Sequence, residues 1–391
     1  MLSVAVAIVL FLQVLAVGNA AEKNPATLVG GEPIVVLQRP NVSDKSEPQF
    51  VSATVLPGRG MAVLQIKAYV PGKGEIDLLN SPPLPEAARL LDMEDDPFGN
   101  QVFEMGGAIL LPFANRIRGK VSADGKTITA TVDGKAVTLL ANWSGNEPGA
   151  EKHAIHGLMR KSQFHDIKVR NAADYSKVSA VLHAGSFDGH WLSDTDVRVG
   201  VTLDHDEFEM TVTATNVGKK PLPMGIGWHP YFVVPSGDRQ QTRLHIPSQT
   251  RAVMNNYDDT FTTGQLVSAV GTPYDFSSPD GSPLGNQYLD DNFSKLDYNN
   301  KEQTISELID PKAKYGLRLV TLSQQIRSIQ VYAPPTKNFV AIEPQFNLPD
   351  PYNKDWGNTD TGMVVLKPGE SVSWRVRLEL FTPKPEAPSQ R

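Results

Sequence analysis

The groups in this chain that could do chemistry lie in short, separated stretches, and two of them centre on side chains that exchange protons near neutral pH. Glu343 closes the apolar run FVAI and stands directly before Pro344, within AIEPQFNLPDPYN, residues 341–353. Proline restricts the residue before it and disfavours continued pairing. That predicts a strand ending at Ile342 or Glu343, with the carboxylate at the sheet's end where side chains face a pocket. A glutamate before a proline is also, commonly, a solvated loop residue. His229 sits in GIGWHPYF, residues 225–232. Its glycines call for close backbone approach, and the aromatics make a cramped, partly apolar setting that tunes an imidazole for acid–base work. A core histidine fits the same surroundings.

Three further stretches carry polar groups of the right kind. Asn115 and Arg116 in FANRIRG, residues 113–119, offer an amide and a guanidinium fork suited to hydroxyl or carboxylate oxygens. A surface arginine beside a turn reads the same way. His153 and His156 in HAIHG, residues 153–157, have a spacing that suits metal ligation on a helix, but Gly157 and the β context oppose it, so no metal site is expected. Asp290 and Asp291 in YLDDNF, residues 288–293, are a pair that can accept hydrogen bonds from vicinal sugar hydroxyls, bind a cation weakly, or simply meet water.

The elements that must position these groups are mostly strands. ITATV and AVTLL flank Asp133-Gly134 over residues 128–140, a strong hairpin signal. Val197, Val199, Val201 and Leu203 alternate, as do Phe208, Met210, Val212 and Ala214, which predicts a second hairpin. Near the C-terminus Val372, Trp374, Val376, Leu378 and Leu380 define one face of a long strand, with Arg375, Arg377 and Glu379 on the other. One short helix is expected at PEAARLL, residues 85–91. Many short strands and little helix predict an all-β, mainly antiparallel sandwich. The expected organisation is a signal peptide at residues 1–20, a Pro-rich segment at 21–49 holding a tether or edge strand, one β domain at 50–384, and a tail at 385–391.

Composition narrows the function. Lys+Arg number 37 against Asp+Glu 43, a formal net charge of -6, so there is no basic footprint for nucleic acid. The absence of cysteine excludes disulfides, thiol nucleophiles and thiolate metal sites. Residues 2–17 are almost wholly apolar and VGNA ends the run with small residues. It is short for a membrane span and reads as a cleaved export signal, giving a periplasmic or secreted protein with no stable membrane association. Sequons stand at Asn41, Asn142 and Asn292, the last beside Asp290.

Together these stretches resemble the aldose 1-epimerase (galactose mutarotase) family. Asn115-Arg116-Ile117 looks like its NRI segment, His156-Gly157 like its His-Gly segment, and GWHPYF like the segment bearing its second histidine. Asp290-Asp291-Asn292-Phe293 resembles its Asp-His-Asn-Phe signature, Glu343-Pro344-Gln345 with Pro349-Asp350 its EPQ…PD block, and Lys367-Pro368-Gly369-Glu370 its closing hairpin. The matches keep the family's order. Two departures are that Asp291 stands where many members have histidine, which bears on contacts at the sugar's far side, and that Gly157 is followed by Leu158 rather than a second glycine.

The resemblance implies a galactose-mutarotase-like β-supersandwich and cofactor-free interconversion of the anomers of a free aldohexose such as glucose or galactose. It makes Glu343 the base and His229 the acid, and Asn115, Arg116, His156 and Asp290 the groups that grip sugar hydroxyls. An imidazolium beside a carboxylate would help keep both ionised. A hexose-6-phosphate epimerase and a non-catalytic carbohydrate-binding sandwich are the alternatives.

Overall fold

The computed structural model describes residues 27–39, 44–204 and 206–384. The expected signal segment, Asn41 and the tail at 385–391 lie outside those residues. Where sequence pattern is strongest, local structure follows it. Thr127–Val132 pairs with Lys135–Leu140 around Asp133-Gly134, whose φ values of 49° and 74° are the left-handed pair a two-residue turn requires. Ile128, Ala130 and Val132 face the core while Thr129 and Thr131 face out. Thr195–Leu203 and Glu207–Asn216 form the second hairpin, and Ser371–Phe381 is the long C-terminal strand, buried at every second residue from Val372 to Leu378.

The chain is all-β and antiparallel: every strand pairing among the described residues is antiparallel, and helix is limited to Leu84–Leu91, Gln101–Glu104 and single 3-10 turns. The first helix matches the one expected at residues 85–91. The second carries Phe103 and has no signal in the sequence. Two large sheets dominate. A nine-stranded sheet runs from the edge strand His165–Asn171 through Ser371–Phe381, which pairs with Glu207–Asn216 on one side and Tyr315–Thr321 on the other. An eight-stranded sheet contains Leu289–Ser294, Ser328–Ala333 and Phe339–Gln345 side by side, flanked by Gly227–His229 and Tyr231–Val233. The sheets meet face to face: Phe208 stacks on Trp228 with ring centroids 6.0 Å apart, and Trp374 Nε1 donates to the Pro344 carbonyl at 3.1 Å. Burying a large apolar side chain stabilises a fold by about 1.5–3 kcal/mol, and the sandwich interior repeats this with Trp228, Phe232, Phe293 and Trp374, all fully enclosed. Within the Pro-rich N-terminal segment, Val35–Gln38 is an edge strand on Gln49–Leu56.

One expectation is overturned. The strand bearing Glu343 does not stop at the proline but runs from Phe339 to Gln345. The reason lies in its neighbour. Gly227 sits opposite Gln345, Tyr231 sits opposite Ala341, and pairing lapses between these points. Continuing either register places Pro344 beside Trp228 and Pro230 beside Ile342. Both prolines therefore fall in a gap where no N–H is called for. His229 falls opposite Glu343 in the same gap.

Candidate active site

Strand alternation decides what faces the site. Val340 and Ile342 point into the sandwich, so Glu343 points to the sheet's other face. Gln330, directly opposite Glu343, and Tyr332 share that face, as does Asp290 opposite Tyr332. His229 projects there too, while Trp228 turns into the core. His229 Nε2 lies 3.4 Å from Glu343 Oε1, both side chains almost completely buried. His229 Nδ1 has no side-chain partner among the described residues, while Nε2 faces the carboxyl.

Two loops bring in the remaining groups. Asn115 adopts φ 60°, which lets its Oδ1 accept from both the Arg116 backbone N–H (3.0 Å) and Arg116 Nη1 (3.1 Å) while its Nδ2 donates to Gln330 Oε1 (3.1 Å). Arg116 Nη2 reaches Asp290 Oδ2 at 3.4 Å, and Gln330 Nε2 donates to Asp290 Oδ1 at 2.7 Å. Asn115, Gln330, Asp290 and Arg116 thus close a ring of hydrogen bonds that fixes the guanidinium and the carboxylate. His156 is also left-handed, at φ 59°, its backbone N–H donating to the Asn115 carbonyl. Gly157 follows at φ 72°, and a Cβ there would lie 2.2 Å from the Leu111 carbonyl oxygen, so only glycine fits. Buried Arg160 holds this turn by donating through Nη1 to the carbonyls of Ile155, His156 and Gly157. The His156 and His229 rings meet edge to face, centroids 4.7 Å apart, and Phe103 lies against both.

Asn115, Arg116, His156, His229, Asp290 and Glu343 all line one cavity of about 360 Å³, within the range of small-molecule sites. His153 and Asp291 do not line it. His153 is buried behind Phe261, its Nδ1 against the Glu151 carbonyl. Asp291 alternates away from Asp290, and its carboxylate is taken by Arg251 and the Tyr257 hydroxyl rather than presented to a ligand. The amides of Asn142 and Asn292 are buried and hydrogen-bonded, to Asn100 and Ile155 and to Ser328, leaving no room for a glycan in the folded chain. Gln330 and Gln345, which donates to Glu343 Oε2 at 2.9 Å, orient the carboxylates without standing out in the sequence. The one trace they leave is a polar residue at an alternating position of an otherwise apolar strand.

Burial sets the electrostatics. Removal from water pushes Glu343 well above the usual carboxylic range, and the Asp290 charge adds to it against the Gln345 hydrogen bond and Arg116. Burial pulls His229 down to about 3, with Arg116 acting in the same direction. His156 is held well below its ordinary value, first by burial and then by its charged neighbours. The expected mutual support of imidazolium and carboxylate is thus outweighed by desolvation, which favours the neutral partners. A proton held by the pair crosses 3.4 Å in passing from one member to the other, which interchanges the neutral and ionic forms.

The sequence profile described as aldose 1-epimerase matches residues 83–379, more than half of the chain. The chain belongs to this family. The matched range takes in the helix bearing Phe103, both loops and every residue of the pair and its ring. The fold is that of galactose-mutarotase-like proteins. One from Clostridium acetobutylicum superposes with a TM-score of 0.67 at 18% identity, over 90% of this chain and 98% of that one. An aldose epimerase homologue from C. elegans gives 0.66 at 18%, over 90% and 99%. A galactose 1-epimerase from Lactobacillus acidophilus gives 0.60 at 15%, again over 90% and 99%. In sequence, the uncharacterized protein YphB of Escherichia coli is 24% identical over 184 residues, a stretch that spans 46% of this chain and 57% of that protein.

Proposed function

We propose that the protein is an aldose 1-epimerase that interconverts the α and β anomers of a free aldohexose such as glucose or galactose, needing no cofactor. The observation that carries this is the buried His229–Glu343 pair, 3.4 Å apart and open to a cavity lined by Arg116, His156 and Asp290. A hemiacetal has two oxygens on one carbon, and its opening needs a proton taken from one and given to the other. With the shared proton on His229, the Glu343 carboxylate takes the C1 hydroxyl proton. Electrons fall into a C1 carbonyl as the C1–O5 bond breaks, and His229 gives its proton to O5. Rotation about C1–C2 presents the other face, and the reverse transfers close the ring. The pair begins and ends with one proton, so turnover needs no exchange with bulk water. Each positioned transfer is worth roughly 10²–10⁴-fold. Arg116, His156 and Asp290 hold the sugar hydroxyls so that C1 stays over the pair, the advantage of fixed orientation.

A sugar phosphate fits the cavity less well. The charge of Arg116 is paired with Asp290, Arg160 donates to backbone carbonyls and Arg118 pairs with Glu151, leaving Lys337, among the described residues that line the cavity, to meet a dianion. Export through residues 1–20 belongs to the same reading, since free sugars rather than sugar phosphates are met outside the cytoplasm; N-terminal sequencing of the mature protein checks it. Exchange NMR of the anomeric protons across a panel of free aldoses tests the activity. Exchange faster than in buffer for at least one aldohexose is expected, and exchange at the buffer rate for all of them would overturn the proposal.

A further inference from the structure

Beyond the pair and its grips, the cavity continues into aromatic rings. From His229 the ring centroids step 5.0 Å to Tyr231, 6.1 Å to Tyr332, 6.2 Å to Tyr288 and 5.0 Å to Tyr257, and all of them line the cavity. A sugar ring is about the size of one aromatic ring and stacks on its face, and Tyr288 and Tyr257 stand three and four ring-to-ring steps from His229 along these contacts.

The far end of the run is exposed yet firmly held. Tyr257 is 38% exposed, but its hydroxyl donates to Asp291 Oδ2 and meets the Tyr274 hydroxyl, each at 2.9 Å. Asp291 itself is completely buried and bound at 2.6 Å by Arg251, whose guanidinium lies 3.9 Å above the Tyr274 ring. The next residue, Asp258, accepts the backbone N–H groups of Asn146 and Glu147 at 2.6 and 3.1 Å, fastening the loop to the one facing it. Here a buried ion pair keeps an exposed phenol ring in place, a large, rigid, amphipathic contact surface of low entropic cost.

We infer that this mouth is an outer subsite for a second sugar unit, formed by Tyr257 and Tyr288, and that the preferred substrate is the reducing end of a disaccharide or longer glycan. The inference rests on the inner site acting on a free anomeric centre. Steady-state mutarotation of glucose, maltose and cellobiose tests it, because all three present the same reducing glucose. At least one disaccharide shows a KM about tenfold below that of glucose, and Tyr257→Ala or Tyr288→Ala raises that KM by about five- to tenfold. The glucose constants stay within about twofold, which also reports that the variants are folded. Disaccharide KM values equal to or above that of glucose, or variants that affect glucose and disaccharide alike, would overturn the subsite while leaving the epimerase reading intact. If no sugar is turned over, the epimerase reading fails instead, and calorimetric titration with the same sugars decides the subsite. Tighter disaccharide binding that Tyr257→Ala removes supports it; equal or absent binding overturns it.

Discussion

At the scale of single residues, the two members of the proposed acid–base pair are conspicuous by type while the groups that tune them are not. A glutamate before a proline and a histidine among glycines and aromatics stand out in any sequence. Gln330 and Gln345 do not, because a polar residue in a strand reads as solvent-facing until the sheet's covered face is known, and here that face is the cavity floor. Desolvation was equally invisible, and it reverses the expected charge state of the pair. The sign of the pH dependence follows. Below about pH 3 His229 gains a second proton for the pair, and above the raised value of Glu343 the pair has none. The account therefore predicts an acid limb of kcat/KM near pH 3 rather than near the roughly 6.5 of an ordinary histidine, and an alkaline limb above the ordinary carboxylate range, where Glu343 loses its proton. A single limb near 6.5 would show that His229 titrates as a solvated imidazole. His229→Asn is expected to cut kcat by roughly 10²–10⁴-fold with KM within a few fold. A raised KM with kcat preserved would make His229 a binding group only.

At the scale of elements, hairpins were legible because the pattern of two and the Asp133-Gly134 turn agree. The proline rule failed at Pro344 because it treats a strand alone. The neighbouring strand is itself broken at Pro230, so two prolines share one gap and neither interrupts a bond. That gap leaves His229 and Glu343 side by side without a ladder between them. The left-handed His156-Gly157 turn is the other element that sequence only hinted at. Gly157→Ala forces a Cβ onto the Leu111 carbonyl at positive φ, and we expect more than about 1 kcal/mol of lost stability in urea unfolding together with a raised sugar KM as His156 shifts. Unchanged stability would mean the turn relaxes freely.

At the scale of the whole molecule, the sandwich class was readable from many short alternating strands, but the strand order was not. Ser371–Phe381 lies between Glu207–Asn216 and Tyr315–Thr321, partners that no local pattern selects. Stability as a function of pH belongs to this scale. Asp350 is buried beneath the Arg116 strand, its Oδ1 accepting from the Arg118 N–H and its own N–H donating to the Arg116 carbonyl. Burial raises its pKa from 3.8 to about 6. Its protonated form is thus favoured by the fold, a contribution fully present below about pH 3.8 and lost as pH rises through about 6. Asp350→Asn keeps the acceptor and removes the charge. It should raise thermal stability at pH 8, by up to about 3 kcal/mol, and by only a small fraction of that near pH 4. A gain that is the same at both values would place its origin elsewhere.

The central claim is that one buried carboxyl–imidazole pair opens and recloses a sugar ring, and polarimetry of freshly dissolved α-glucose tests it most directly. The intact protein should accelerate the decay of optical rotation, and Glu343→Gln, matched in shape and checked for folding by circular dichroism, should return it to the buffer rate. Undiminished acceleration by a folded Glu343→Gln variant would contradict the account.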